Sequence, residues 1–249
     1  MTNIFSGQTA LVTGGTRGIG FNVAKELYDQ GADLIITGTK KESFESVRPH
    51  FQGRQGAVHF FPVDFSDINA MNDFILAIGA FERIDVLINN SGINKVDFIY
   101  DTAMEDWQKI TDVNLKAPFM LMRHVSRKMK DQKYGRIVNI GSIFGVISKS
   151  KRSIYSATKH GLHGLTIAAA LDLAPYGVLV NTLSPGFVLT ELTKSILSEA
   201  EIAELSKQVP LQRFAAPEEI SKVIIFMAGR NNTFMTGQNI IVDGGFVNV

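Results

Sequence analysis

Seven short apolar runs, rich in β-branched residues, recur along the chain at 9–14 (TALVTG), 32–38 (ADLIITG), 57–63 (AVHFFPV), 85–90 (DVLINN), 136–142 (RIVNIGS), 178–185 (VLVNTLSP) and 239–245 (NIIVDGG). They are nearly continuous in apolar character rather than alternating. Strands read this way when helices cover both faces of their sheet. Most of the intervals between them are long enough for a crossover helix. In RGIGFNVAKELYDQGA, for example, Ile19, Val23 and Leu27 fall on one helical face. Strand and helix in alternation predict an α/β fold: one doubly wound parallel sheet of about seven strands with helices on both faces. A hydrophobic share of 45% supplies a sizeable core. No linker rich in Pro, Gly or Ser breaks the pattern, so a single domain over residues 1–249 is expected.

The charge balance excludes some functions. Lys and Arg total 25 against 24 Asp and Glu, a net charge of +1. That gives no global attraction to nucleic acid, and any electrostatic recognition must come from a local patch. There is no cysteine, which excludes a disulfide framework and thiolate-ligated metal. With no converging set of carboxylates or histidines, no metal is expected; His160 and His163 read as packing or surface residues. The N-terminal MTNIFSGQTALVTGG does not read as a signal peptide, and no apolar run reaches the length of a membrane helix. The expectation is a soluble cytoplasmic protein.

The first strand runs into TGGTRGIG, residues 13–20. Gly14, Gly18 and Gly20, with Thr16, Arg17 and Ile19 between them, form a glycine turn that opens a helix. Glycines let backbone approach a pyrophosphate, and the helix N-terminus offers free N–H groups. Such a turn alone is shared with ordinary tight turns; its place after the first strand points to a dinucleotide. An acid at the end of the second strand would bind an adenosine ribose 2′-hydroxyl. Here ITGTKK puts Gly38 at that position, followed by Thr39 and Lys40. A hydroxyl and cations, with Arg17 in the loop, suit a 2′-phosphate, so NADP(H) is expected in preference to NAD(H).

Tyr155 and Lys159 lie one helical turn apart in YSATK. The spacing fits an ordinary amphipathic helix, and it also fits a tyrosine tuned for proton transfer. A free tyrosine has a pKa of about 10; lowering it by about three units needs roughly 4 kcal/mol of differential interaction, which a neighbouring ammonium could supply.

TGGTRGIG, NNSG (residues 89–92), Ser142, YSATK, SPGFVLT (residues 184–190) and VDGG (residues 242–245) follow the order of the short-chain dehydrogenase/reductase family, which the chain resembles over essentially its whole length. Within it, Thr37–Thr39, YGRIVNIGS and VPLQRFAAPEEI are most similar to bacterial 3-oxoacyl-acyl-carrier-protein reductases. The family pattern has alanine where this chain has Ser91. The resemblance implies a Rossmann-like fold and a catalytic set of Asn114, Ser142, Tyr155 and Lys159. Asn114 would kink its helix and anchor a water beside Lys159. Lys159 would also bind the nicotinamide ribose beside Tyr155. By the same resemblance Asp64 would meet the adenine, and Asn90 and Gly92 would border the adenosine. Ile19 would pack near the pyrophosphate. Pro185, Gly186, Val188 and Thr190 would surround the carboxamide, and the segment after Gly186 would form a helical lid.

The implied activity is NADPH-dependent reduction of a ketone, with a 3-oxoacyl thioester as one substrate class. A sugar, polyol or nucleotide-sugar oxidoreductase is the alternative on the same scaffold, and a non-catalytic NADP(H)-binding protein the remote one. The basic run Lys149, Ser150, Lys151 and Arg152 is either a solvated loop or the dock of an anionic substrate. Arg127, Lys128, Lys130 and Lys133 match positions used for acyl carrier protein docking, or form a helix end where cations are favoured. Tyr176 stands where those reductases tend to carry another basic residue, which weakens the carrier-protein reading. The small residues Ala157, Gly161, Gly164 and Ala168 allow close packing, within the subunit or between copies, and the family commonly forms homotetramers there.

Overall fold

The computed structural model describes residues 3–53 and 56–249. All seven expected strands form: β1 (Thr9–Val12), β2 (Asp33–Gly38), β3 (Val58–Pro62), β4 (Val86–Asn89), β5 (Gly135–Ile140), β6 (Val178–Pro185) and β7 (Asn239–Val242). They pair in parallel in the order β3-β2-β1-β4-β5-β6-β7. The order reverses between β1 and β4. In an open parallel sheet such a switch point opens a crevice at the carboxyl ends of the strands.

The helices are α1 (Gly18–Asp29), α2 (Glu42–Glu45), α3 (Ile68–Gly79), α4 (Met104–Thr111), α5 (Ala117–Gln132), α6 (Ser153–Leu173), α7 (Glu191–Ile196), α8 (Glu199–Ser206) and α9 (Pro217–Ala228). They cover both faces of the sheet. On one face Val23, Ala24 and Leu27 of α1 and Ile220, Ile224 and Ile225 of α9 pack over Ala10, Val12, Leu34 and Ile88. On the other, Met71, Phe74 and Ile78 of α3 and Leu121, Val125 and Met129 of α5 pack over Leu11, Ile35, Leu87 and Ile137. Successive residues of one strand serve opposite layers, as the two-residue period requires. Both faces are buried, which is why the strand sequences do not alternate with polar residues.

A chain of buried polar groups ties α6 to the sheet. The Asn89 amide of β4 donates to Asn139 Oδ1 of β5 at 2.8 Å. Asn139 donates to Thr166 Oγ1 of α6 at 2.9 Å, and Thr182 of β6 donates to the same oxygen at 2.8 Å. Thr166 donates its own proton to Leu162 O at 2.8 Å. These side chains are almost wholly excluded from water, so each bond must be made inside the protein. Thr166→Val keeps the shape but leaves donors on Asn139 and Thr182 unpaired. It should lower unfolding stability by about 2–4 kcal/mol, and Thr166→Ser by less than about 1 kcal/mol, by chemical denaturation.

Candidate active site

The turn after β1 is built to come close to a ligand. Gly14 and Gly18 have φ of +62° and +54°, a region that favours glycine. A Cβ on Gly20 would fall 2.3 Å from the Gly14 carbonyl oxygen and 2.4 Å from Asn90 Nδ2. The turn is held from both neighbouring strands. Gly14 N donates to Thr37 Oγ1 at 3.1 Å and Gly15 N to Thr37 O at 3.0 Å. Asn90 Nδ2 donates to Thr13 O at 2.9 Å and to Gly14 O at 3.1 Å. Thr13 Oγ1 accepts from the backbone N–H groups of Asn90 and Ser91.

The groove above this turn has a volume of about 720 Å³. Gly14, Thr16, Arg17, Gly18 and Ile19 line it from the glycine turn, and Thr39 and Lys40 from beyond β2. Asp64, Asn90, Gly92 and Thr190 complete the set of expected residues found there. Gly20 lies beneath the groove rather than on its wall. Pro185, Gly186 and Val188 are not on its wall either; Gly186 packs against Asp243, where a Cβ would meet Cα at 2.7 Å. The sequence reading missed Glu42, Ser43, Ser46 and Lys109, which also line the groove. Ser43 had a signal, since it lies three residues after Lys40 of the expected phosphate end; Lys109 had none. A Cβ on Gly38 would meet Ser43 Oγ at 2.7 Å and Thr16 Cγ2 at 2.8 Å, so no larger residue, acidic or otherwise, fits at that strand end without displacement. Asp64 accepts from the Ser66 hydroxyl and backbone N–H, which hold its carboxyl below the usual range.

The second cluster gathers at the end of β5 and the first turns of α6. Ser142 follows β5, and its Oγ accepts from Phe144 N at 3.1 Å. Asn114 lies in a π turn, Asp112–Lys116, between α4 and α5. This is the kink expected of that helix, and π turns are frequent at functional sites. Its amide grips Ile93 on both backbone groups, accepting from N and donating to O, each at 2.9 Å, and also donates to Thr158 Oγ1 at 3.2 Å. Lys159 Nζ is buried and donates to Ile140 O at 2.7 Å. A Cβ on Gly92 would stand 3.5 Å from both Asn114 Oδ1 and Lys159 Nζ. The bare Gly92 therefore borders a space that both side chains face.

The electrostatics differ from the expectation for Tyr155. Burial pushes its phenol above the usual tyrosine value, against the smaller opposing pulls of the Ser142 hydroxyl and the Arg152 guanidinium. Lys159, 5.7 Å from the Tyr155 ring centre, does not outweigh this. Burial acts on the ammonium too and brings its pKa down to about 8. Removal from water opposes charge on both groups, so the phenol stays protonated at neutral pH.

The remaining basic residues divide. Lys128 donates to the Gly79 carbonyl at 2.9 Å and to that of Phe81, capping the end of α3. Lys130 lies over the Tyr176 ring at 4.9 Å. These two cations are used inside the chain. Along α6, Gly161 packs against Leu115, whereas a Cβ on Gly164 would meet open space. Ala157, Gly164 and Ala168 are exposed. His160 Nδ1 sits 2.9 Å from Ser156 O, and burial with the nearby His160 lowers the pKa of His163.

A buried lysine makes stability pH-dependent. Between the folded pKa of about 8 and the ordinary value of 10.5 the unfolded chain binds more protons than the folded one, so stability rises with pH across that window. Measured by urea unfolding, wild type should gain about 2–3 kcal/mol on Lys159→Met between pH 7 and pH 10. A pH-independent difference between the two proteins would show that Lys159 is not desolvated.

A family model described as enoyl-(acyl carrier protein) reductase matches residues 14–247. A 3-oxoacyl-acyl-carrier-protein reductase of Aquifex aeolicus is 37% identical over 241 residues, 96% of this chain and 97% of its own length. A solved 3-oxoacyl-acyl-carrier-protein reductase of Agrobacterium tumefaciens with NADP bound superposes with a TM-score of 0.91 at 32% identity, over 96% of this chain and 94% of that one. A gluconate 5-dehydrogenase of Burkholderia cenocepacia, in complex with NADP and tartrate, superposes with a TM-score of 0.89 at 30% identity, over 98% and 96%. The glycine groove at the β1/β4 switch point and the serine, tyrosine and lysine beside it thus have relatives along the full chain, and the chain belongs to the short-chain dehydrogenase/reductase family of oxidoreductases acting on CH–OH and C=O groups.

Proposed function

We propose that this protein reduces a ketone to a secondary alcohol with NADPH, and that a 3-oxoacyl thioester is the first substrate class to consider. The observation that carries the reading is the gathering of buried Ser142 and Lys159 with half-buried Tyr155 at the carboxyl end of the sheet, Lys159 Nζ standing 5.7 Å from the Tyr155 ring centre. Bound NADPH supplies a hydride. The backbone of Gly14, Thr16, Gly18 and Ile19 would cradle its pyrophosphate, with Gly20 allowing the close turn beneath. Arg17, Thr39 and Lys40 would take the 2′-phosphate, helped by Ser43. Asp64 would face the adenine, and Asn90 and Gly92 the adenosine side. Tyr155 and Lys159 would meet the nicotinamide ribose, and Pro185, Gly186, Val188 and Thr190 the carboxamide.

Each protein group has a proton task. Ser142 donates a hydrogen bond to the substrate carbonyl and fixes its position. Tyr155 gives its proton to the developing alkoxide oxygen; a phenol whose pKa is raised starts in the form that reduction requires. Lys159 is still mostly protonated at pH 7 and steadies the phenolate left behind. Asn114 holds the backbone of Ile93, next to the Gly92 that borders Lys159, and would anchor a water through which Tyr155 is reprotonated. The helices α7 and α8 occupy the segment expected to form a lid.

A second substrate class, keto-sugars and polyols, is favoured by the gluconate 5-dehydrogenase likeness. Carrier-protein docking through the end of α5 draws less support, because Lys128 and Lys130 are committed internally. Assembly as a homotetramer through α6 is supported by its exposed small residues and by Leu171, which is 72% exposed; a monomer in sedimentation at micromolar concentration would contradict it.

Loss of NADPH absorbance with acetoacetyl-coenzyme A and with a panel of keto-sugars tests the reading. Tyr155→Phe should lower turnover by about 10²–10⁴-fold. Specificity for NADPH over NADH should be about tenfold or more, and Lys40→Ala should narrow it by about tenfold, the worth of one charge-assisted contact. Equal efficiency with NADH would remove the 2′-phosphate assignment.

A further inference from the structure

Arg152 precedes the first turn of α6, three residues before Tyr155. Its guanidinium carbon lies 5.5 Å from the centre of the Phe144 ring. That ring in turn meets Tyr155 edge-on, with centres 6.5 Å apart. Lys149 Nζ stands 5.8 Å from the same ring. Two cations and the proposed proton donor thus surround one buried phenylalanine.

Arg152 makes none of the hydrogen bonds that tie Arg83, Arg136 and Arg213 into the chain. Arg83 and Arg213 each grip a carboxylate, Asp85 and Glu219, through two N–H groups. Arg136 is buried, and although its Nε is also unpartnered, its other two nitrogens donate to the carbonyls of Gly135, Gly177 and Asn232. Arg152 Nε is sealed from water with no hydrogen-bond partner. No ion pair among the described residues includes Arg152. Burial accordingly lowers its pKa, with only the electrostatic influence of Tyr155 acting in the other direction. A half-buried guanidinium is costly to desolvate, and here no anion of the protein offsets that cost. Its forked N–H groups match a carboxylate.

We propose that Arg152 binds a carboxylate carried by the substrate close to the reacting ketone, so that the preferred substrates are oxo acids, including keto-aldonates. The proposal rests on the ketone-reductase reading and narrows its substrate class. A 3-oxoacyl thioester is neutral around its ketone; its nearest phosphate lies at the far end of the pantetheine arm. An oxo acid places a permanent charge within reach of the residue next to the proton donor. The carboxylate is a spectator. The C=O π bond breaks, a C–H bond forms from the hydride of NADPH, which becomes NADP⁺, and an O–H bond forms with the Tyr155 proton.

The test compares acids with their own esters: acetoacetate with methyl acetoacetate, 5-oxohexanoate with its methyl ester, and a 5-keto-aldonate with a neutral ketohexose. Wild type should favour the acids in kcat/KM by about 10- to 100-fold, the range of a hydrogen bond to a charged group. Arg152→Gln should narrow that ratio to within about threefold, chiefly through KM of the acids. The wild-type ratio stands alone as a test should the variant fold poorly. A ratio near one in wild type, or the same ratio in both proteins, overturns the proposal. So does a failure of every acid to be reduced, or to inhibit thioester reduction better than its ester. In those cases NADPH-dependent, Tyr155-dependent thioester reduction leaves the parent reading standing. Turnover that survives Tyr155→Phe unchanged removes the parent reading itself.

Discussion

The Thr166 hydroxyl is the point at which the tyrosine helix is tied to the sheet. It accepts from Asn139 of β5 and Thr182 of β6, and Asn139 is itself held by Asn89 of β4. Three strands and one helix therefore share a single buried polar chain. Helix packing by apolar side chains alone tolerates small slides, because dispersion is non-directional. Hydrogen bonds with no water to replace them do not. Thr166 is two helical turns beyond Lys159, so fixing it fixes the depth at which Lys159 and Tyr155 stand relative to Ser142 at the end of β5. The same network ties together β4, β5 and β6, the strands on one side of the switch point.

That placement has an electrostatic cost, and the cost is part of the chemistry. The phenol and the ammonium are both withdrawn from water, and each is pushed toward its neutral form. For Tyr155 this preserves the proton that carbonyl reduction consumes. For Lys159 it leaves a charge that is held but readily lost, with the Ile140 carbonyl as its fixed acceptor. A fold selected only for stability would have no reason to place either group here.

The glycine turn obeys a different constraint, steric rather than electrostatic. Gly20 lets α1 begin directly against the Gly14 carbonyl and the Asn90 amide. Asn90 in turn ties the end of β4 to the end of β1, and the groove wall continues from it to Gly92, which borders Asn114 and Lys159. Cofactor cradle and proton donor are thereby placed in register by two independent devices, a close backbone contact and a buried polar chain.

The layout of the molecule was legible in its residues because both carry local signals. Apolar runs covered on two faces read as parallel strands, and TGGTRGIG, Ser142 and YSATK read as a dinucleotide turn and a proton-transfer set. Even the kink at Asn114 was legible through the family resemblance, though not its form as a π turn. What depended on the third dimension was environment. The sequence suggested that Lys159 would draw the Tyr155 pKa down; burial, which spacing does not encode, pushes it up. Three basic residues before Tyr155 looked alike as letters, yet Arg152 alone is half-buried with an unpartnered Nε, whereas Lys149 and Lys151 stand in solvent. Lys128 and Lys130 looked like a docking patch until the end of α3 and Tyr176 were found beneath them. The sequence by itself determined the strand order of chemistry along the chain, because periodicity and glycine spacing act through near neighbours. Only the tertiary structure decided which charges are paired, desolvated or free, because those depend on groups far apart in the chain that meet when the sheet closes.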